Sequence, residues 1–427
     1  MESEPTADVI AMTDASPAVA PLASPRFRLF LAATVAWFFS IFVLQAALPK
    51  YMEHHGFSNG LIGLVIGALS VSAILPRPYL GQAMDRGALF PLLIASAVMM
   101  LSSPLYGIGT MLWVLLAVRL FQGVSSGIYM TGGPVLVAEL APQGRRGEAM
   151  GLFAVASTVA IAIGPPAGLL LGEHVSYHLT FALSAGAGLV CAALLLPLRR
   201  GAHPLLPKGH PPSRHGRERK YGDAAMPRRS PSPFRGGVQG EGSLLEWRVL
   251  PAAIAGFITA LGNGVIFAFI VPLMDARHLP GAGFFFTFDA AMFFVIRAVG
   301  GRWSDRYGRW RVIIPGMAAC GISMTILTAV PVFPAFAVAA LLWGGAISAV
   351  LPELNALAVD LAPPTRRGAA LATYTGIFEA GLALSGLAFG WLADWLSLPF
   401  VFAFAASLYF LTAAALWLRY GRQERGC

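Results

Sequence analysis

Between Phe27 and Leu418 the chain returns twelve times to an apolar run of roughly 20 residues, the length a helix needs to cross a hydrocarbon layer about 30 Å thick. Lipid offers the backbone no hydrogen-bond partner, so runs of this length close their bonds internally as helices. The runs lie near 27–49, 59–83, 89–109, 111–138, 149–171 and 179–198, and again near 249–274, 283–301, 311–330, 334–361, 369–391 and 398–418. With 56% hydrophobic and only 12% charged residues, the chain falls far below the roughly one-quarter charged content of soluble domains. An ordinary soluble enzyme is excluded, and an all-α, twelve-span membrane protein is expected.

The formal charge of +9 would suggest nucleic acid in a soluble chain, but its distribution argues for a bilayer. Of the 30 Lys and Arg residues, 25 fall in the termini or in every second loop, leaving Lys50, Arg77, Arg119, Arg277 and Arg297 elsewhere. Basic loops stay on the cytoplasmic side, so the expectation is an inner (plasma) membrane protein with both termini cytoplasmic and no nucleic-acid partner. Residues 1–26 read as a disordered cytoplasmic tail: Met1 to Pro25 contain four acidic residues, unlike the basic start of a cleaved signal. Residues 199–247 turn to Pro, Gly, Arg and Ser and read as a disordered basic cytoplasmic linker. It separates an N-terminal six-helix bundle, 27–198, from a C-terminal one, 248–418, followed by a tail, 419–427.

The halves repeat. Arg77-x-x-x-Gly81-x-x-x-Asp85-Arg86 after the second run returns as Arg297-x-x-x-Gly301-x-x-x-Asp305-Arg306 after the eighth. Glu139-Leu140-Ala141-Pro142 with Arg145-Arg146-Gly147 returns, at almost the same separation along the chain, as Asp360-Leu361-Ala362-Pro363 with Arg366-Arg367-Gly368. Two motifs sharing one offset, each at the same end of the equivalent helix, predict two pseudo-symmetric bundles in the same orientation.

These residues resemble the major facilitator superfamily across all twelve runs. Its loop motif, G-x-x-x-D-R-x-G-R-[RK], is followed from Gly301 through Asp305, Arg306, Gly308 and Arg309, with Trp310 inserted before Arg311. The first copy keeps Gly81, Asp85 and Arg86 and then departs as Gly87-Ala88-Leu89. A glycine admits close helix approach, and an aspartate at a helix end pairs with arginine or with a helix N-terminus. Asp85, Asp305, Arg86, Arg306, Glu139, Asp360, Arg145 and Arg366 are therefore expected to latch the cytoplasmic face when the opposite face is open, with Arg297 pairing at the Asp305 latch.

Arg119-x-x-Gln122-Gly123 resembles the R-x-x-Q-G motif of the drug:proton antiporters in that superfamily. A buried arginine in lipid requires a partner or a watery cavity. It either tunes a nearby carboxylate, binds an anionic substrate group, or snorkels to the interface. The fifth run, Gly151-x8-Ala160-x3-Gly164-Pro165-Pro166-Ala167-Gly168-Leu169, is similar to the antiporter motif, with Ala160 and Leu169 replacing glycines. Gly151, Gly164 and Gly168 are expected to pack this helix on its pseudo-symmetry mate, with a bend at Pro165. In the family this motif marks exporters.

Three carboxylates fall inside runs: Asp289, Glu353 and Glu379. A carboxyl group in low dielectric can load and release a proton near neutral pH. Glu379, at mid-depth, is the expected carrier; Asp289 sits nearer the periplasmic rim, and Glu353 is expected to bond Asn355. Gln45 and Asn263, at related positions of the two halves, are expected to line a central cavity with Gln122, Trp37 and Tyr374. The histidines lack a metal-ligand pattern, the three cysteines lack a disulfide or zinc spacing, and no phosphate-binding loop occurs. Neither metal nor cofactor nor enzymatic reaction is expected. The resemblance implies a secondary transporter that exports a small amphipathic compound in exchange for protons by alternating access, and a monomer is expected. The alternatives are a proton-coupled importer of a sugar or organic acid, with Arg119 holding an anionic group, and a non-transporting sensor or scaffold acting through the linker.

Overall fold

Ser24 opens the first helix by accepting the Phe27 N–H at 3.2 Å, with Pro25 in the first turn where its missing N–H is not needed. Ser58 and Ser176 cap two later helices in the same way. The computed structural model describes residues 24–420 apart from 77–78, 81–82, 85–86, 143–144, 202–245, 280–281 and 364–365; the side chains of 200–201, 297–307 and 367–368 are also outside the description. Among the described residues there are twelve long helices and no strands.

The first six are α1 (Pro25–His54), α2 (Asn59–Ile74), α3 (Leu89–Ser102, extended by a 3-10 stretch over Ser103–Gly107), α4 (Leu112–Leu140), α5 (Arg146–His174) and α6 (Tyr177–Leu195). The second six are α7 (Leu250–Ala276), α8 (Phe284–Tyr307), α9 (Trp310–Ala329), α10 (Phe333–Asp360), α11 (Arg367–Trp395) and α12 (Leu398–Tyr420). Ten of them are long and apolar enough to cross a membrane, and Asn59–Ile74 and Phe284–Ile296 are shorter apolar helices. Alternating crossings put Ser24, Arg199, Glu246 and Tyr420 on one face, called here the termini face; the opposite one is the far face.

Within the first half α1 packs on α5 and α6, α2 on α4, and α3 on α4 and α6; within the second, α7 packs on α11 and α12, α8 on α10, and α9 on α10 and α12. Each pairing has its counterpart six helices on, so the fold is two pseudo-symmetric six-helix bundles. The symmetry extends to single atoms. A Cβ added at Gly123 of α4 would stand 2.1 Å from the Leu69 carbonyl oxygen of α2, and one at Gly344 of α10 would stand 2.2 Å from the Asp289 carbonyl oxygen of α8. Gly344 follows Gly123, and Asp289 follows Leu69, at the offset of the repeated motifs. The glycine of the R-x-x-Q-G run is therefore a helix-crossing point, the tight backbone approach that small residues permit in membranes.

The helix carrying Gly164 and Gly168 packs differently from expectation. Its pseudo-symmetry mate is α11, but α5 packs on α1 and α8. A Cβ at Gly168 would fall 1.9 Å from the Val43 carbonyl oxygen, and one at Gly164 2.9 Å from Phe42 Cβ. α5 takes α8 as its neighbour in the other bundle and α11 takes α2, one crossing repeated by the pseudo-twofold. Gly151 has open space around its Cα, and α5 continues through Pro165 and Pro166 as one helix.

Candidate functional site: a cavity between the bundles

Two cross-bundle crossings close the far face. Gly63 of α2 meets Gly386 of α11, where an added Cβ would stand 2.2 Å from the Gly386 carbonyl oxygen. At the equivalent place in the other half, Gly283, just before α8, abuts Pro166 of α5, its added Cβ 2.8 Å from Pro166 Cα. Polar contacts reinforce both. Asp394 of α11 accepts the Asn59 and Gly60 N–H groups at 2.8 Å each, a carboxylate on the positive end of α2. Thr287 donates to the Ala162 carbonyl at 2.9 Å. Lys50, at the far end of α1, is hydrogen-bonded and ion-paired to Asp275 of α7, with Glu53 3.8 Å from the same ammonium.

Lys50→Ala would leave Asp275 and Glu53 as neighbouring like charges with no counter-ion between them. The expected result is a far face that opens more readily, read as faster maleimide labelling of a cysteine at Gly60 or Trp391 than in the Lys50 parent.

On the termini side of these crossings lies a cavity of about 140 Å³. α1 contributes Trp37, Ile41, Phe42 and Gln45; α2 and α4 contribute Ser70, Ala73, Ser126 and Met130; α7 and α11 contribute Phe267, Glu379 and Ser385. Among the described residues the lining is apolar and hydroxylic, with the Gln45 amide and a single carboxylate, Glu379, and without arginine or lysine. Trp37 is stacked on Tyr129 with ring centres 4.2 Å apart, and its indole N–H has no hydrogen-bond partner among the described residues.

Of the expected cavity residues, Trp37, Gln45 and Glu379 are on this wall. The others are not. Tyr374 is buried inside the second bundle against Gly256 of α7, and half-buried Asn263 is not part of the lining. Gln122 is enclosed in the first bundle, where it accepts from Tyr106 at 2.9 Å and donates to Ser103 at 3.3 Å. Arg119 lies beside it, 1% exposed, and so does not snorkel. Asp289 is half-buried on α8 at the crossing with Gly344. The four expected proton-coupling residues are thus dispersed, with only Glu379 on the cavity. The sequence reading missed Phe42, Ser70, Ser126, Phe267 and Ser385; hydroxyls recurring within apolar runs were the available signal.

At the termini face Glu353 bonds not Asn355 but Arg309, at 3.0 Å, while Asn355 donates to the Leu351 carbonyl. Arg309 also donates through Nε to Asp360 at 2.5 Å, so one planar guanidinium serves two carboxylates. Arg366 pairs with Glu246 at 2.9 Å, and Arg145 with Glu148 at 2.7 Å. Glu139 lies at the backbone N–H of Ala88, at the start of α3. These described pairs each stay within one bundle. Gly81, Asp85 and Arg86 lie outside the described residues, as do the side chains of Arg297, Gly301, Asp305 and Arg306; Gly308 turns the chain at φ 88°.

Arg309→Ala would strand Glu353, whose side chain is 14% exposed, at a cost of about 1–3 kcal/mol. The melting temperature in detergent should fall, and Arg309→Lys should recover only part, because an ammonium lacks the fork.

Two related bundles of long apolar helices around a shared cavity have the architecture of a multi-pass membrane transporter. The Major Facilitator Superfamily model matches residues 29–250 and 252–426, and the chain belongs to that family. It is 27% identical over 394 residues to an uncharacterized MFS-type transporter of Burkholderia mallei (strain SAVP1), covering 89% of this chain and 88% of that one. In fold it is similar to a mutant of the nucleoside transporter NupG, with a TM-score of 0.73 at 13% identity over 92% of this chain and 100% of that one. It is also similar to a POT family transporter solved with a thioalcohol-conjugated peptide, with a TM-score of 0.72 at 13% identity over 93% and 96% of the two chains.

Proposed function

We propose that this transporter exports a small amphipathic compound, neutral or cationic, in exchange for protons, with Glu379 as the exchanging group. The observation that carries the proposal is the cavity wall: among the described residues, one carboxylate, Glu379, stands amid apolar and hydroxyl side chains and the Gln45 amide. Such a wall suits an apolar body with a cationic or hydrogen-bonding head. It disfavours import of an organic acid held by Arg119, which is buried away from the cavity. A proton and a cationic substrate competing for one carboxylate gives exchange directly, since each stabilises the carrier by its own preference for one state.

The basic-loop pattern supports a plasma-membrane orientation with the termini face cytoplasmic, so that this conformation has its extracytoplasmic side closed. Loading then requires the bundles to part on the cytoplasmic side, because about 140 Å³ is below the roughly 300–1,000 Å³ of drug-sized sites. Opening the far face requires the Gly63–Gly386 and Gly283–Pro166 crossings to separate.

The reading is tested by expressing the protein in a host deleted of its own exporters. Lipophilic cations and uncharged drugs should accumulate less, and a protonophore should restore accumulation. Unchanged accumulation across such a panel, alongside uptake of a sugar or organic acid, would replace export with import.

A further inference from the structure

Among the described residues, the first bundle contains one full charge away from its ends. Its five carboxylates are Glu53, Asp85, Glu139, Glu148 and Glu173. Glu53 and Glu173 close helices at the far face, whereas Glu139 and Glu148 stand at the termini face. Arg119 lies two turns inside α4 and is 1% exposed, among Leu115, Val118 and Tyr106, which are 0–2% exposed. A guanidinium does not shed its proton in a protein, and an isolated ion in a low-dielectric interior costs several kcal/mol even after relaxation. Some negative charge must accompany it.

The atoms left over say what kind. Nη1 donates to Gln122 Oε1 at 3.4 Å, whereas Nε and Nη2 are buried with no hydrogen-bond partner among the described residues. Nε and Nη2 form the side edge of the guanidinium, two parallel N–H groups that take a carboxylate or a halide in bidentate fashion. The neighbouring acceptors are already engaged: Tyr106 donates to Gln122 at 2.9 Å, Gln122 donates to Ser103 at 3.3 Å, and Ser103 bonds Ser184 at 2.8 Å. This chain orients Gln122 so that its oxygen faces Nη1 and the side edge is turned elsewhere. The second bundle has no counterpart, since the positions equivalent to Arg119 and Gln122 are held by Ala340 and Trp343. A charge present in one bundle alone is not demanded by the shared fold.

We propose that Arg119 holds a small monovalent anion, a halide or a carboxylate, occluded within the first bundle and bound through Nε and Nη2. The anion neutralises the bundle interior and locks the Arg119–Gln122–Tyr106–Ser103 network; it lies outside the transport cavity and does not depend on what that cavity carries.

The test uses the full-length protein in detergent, melted by tryptophan fluorescence in gluconate buffer of constant ionic strength as chloride, bromide or acetate replaces gluconate. A saturable rise in melting temperature of at least about 2 °C, absent in Arg119→Gln, is expected. A rise with halides alone assigns an inorganic ion. A rise with acetate, with displacement of bromide by longer carboxylates, assigns an organic anion. An unresponsive wild type, or an equal response in the variant, would overturn the site. If Arg119→Gln does not fold, diffraction from bromide-soaked wild-type crystals at the bromine edge decides: an anomalous peak at Nε and Nη2 supports the site, and none there refutes it.

Discussion

Gly168→Leu is expected to leave almost no folded transporter, whereas Gly63→Leu should leave both bundles folded and the far face unable to close. Both positions bring a Cβ to within 1.9 and 2.2 Å of a carbonyl oxygen, Val43 and Gly386 respectively, and neither neighbour can swing aside because each is backbone. The difference lies in what the crossing joins. Gly168 ties α5 to α1 inside one bundle, and its loss exceeds the roughly 1–3 kcal/mol of ordinary overpacking because the helices must separate. Gly63 ties α2 to α11 across the two bundles, and separating those is the motion a two-bundle transporter is built to make. Monodisperse yield in detergent measures the first effect. For the second, Gly63→Leu should elute as wild type while a cysteine at the far end of α11 labels faster; equal labelling with equal yield would remove the crossing from the gate.

Glu379→Gln is expected to lose substrate-driven proton exchange by on the order of 100-fold or more, the size of effect associated with deleting a positioned proton-transfer group. Binding of an uncharged substrate should survive, because glutamine keeps the side chain's volume and polarity while removing its negative charge and its exchangeable proton. A lipophilic cation should bind more weakly to the same variant. Glu353→Gln provides the contrast: its carboxylate is bound to Arg309 at 3.0 Å at the termini face, so its replacement should cost stability and leave exchange coupled.

The twelve helices were legible because each needs only length and apolarity, and lipid leaves the backbone no other way to satisfy itself. The two-bundle repeat was legible in the motifs around Arg77 and Arg145 and their copies at Arg297 and Arg366. Orientation about each helix axis was not. Helices that are apolar nearly all round carry no stripe to say which side faces a neighbour, so Tyr374, Asn263 and Gln122 were assigned to a cavity that only Trp37, Gln45 and Glu379 reach. Asn355 shares a helix with Glu353 and was close in sequence, yet the nearest strong donor came from Arg309, in the turn between α8 and α9. Gly63, Gly283 and Gly386 escaped notice because a small residue announces a close approach without naming the partner.

Proton movement in everted membrane vesicles measures the central claim most directly. Vesicles containing wild-type protein are acidified by respiration and followed with a pH-sensitive dye while lipophilic cations and uncharged drugs are added, alongside Glu379→Gln. Substrate-dependent proton release from wild-type vesicles alone is the predicted result. Release of equal size from Glu379→Gln vesicles, with both proteins folded, would contradict the assignment of Glu379 as the group that carries the proton.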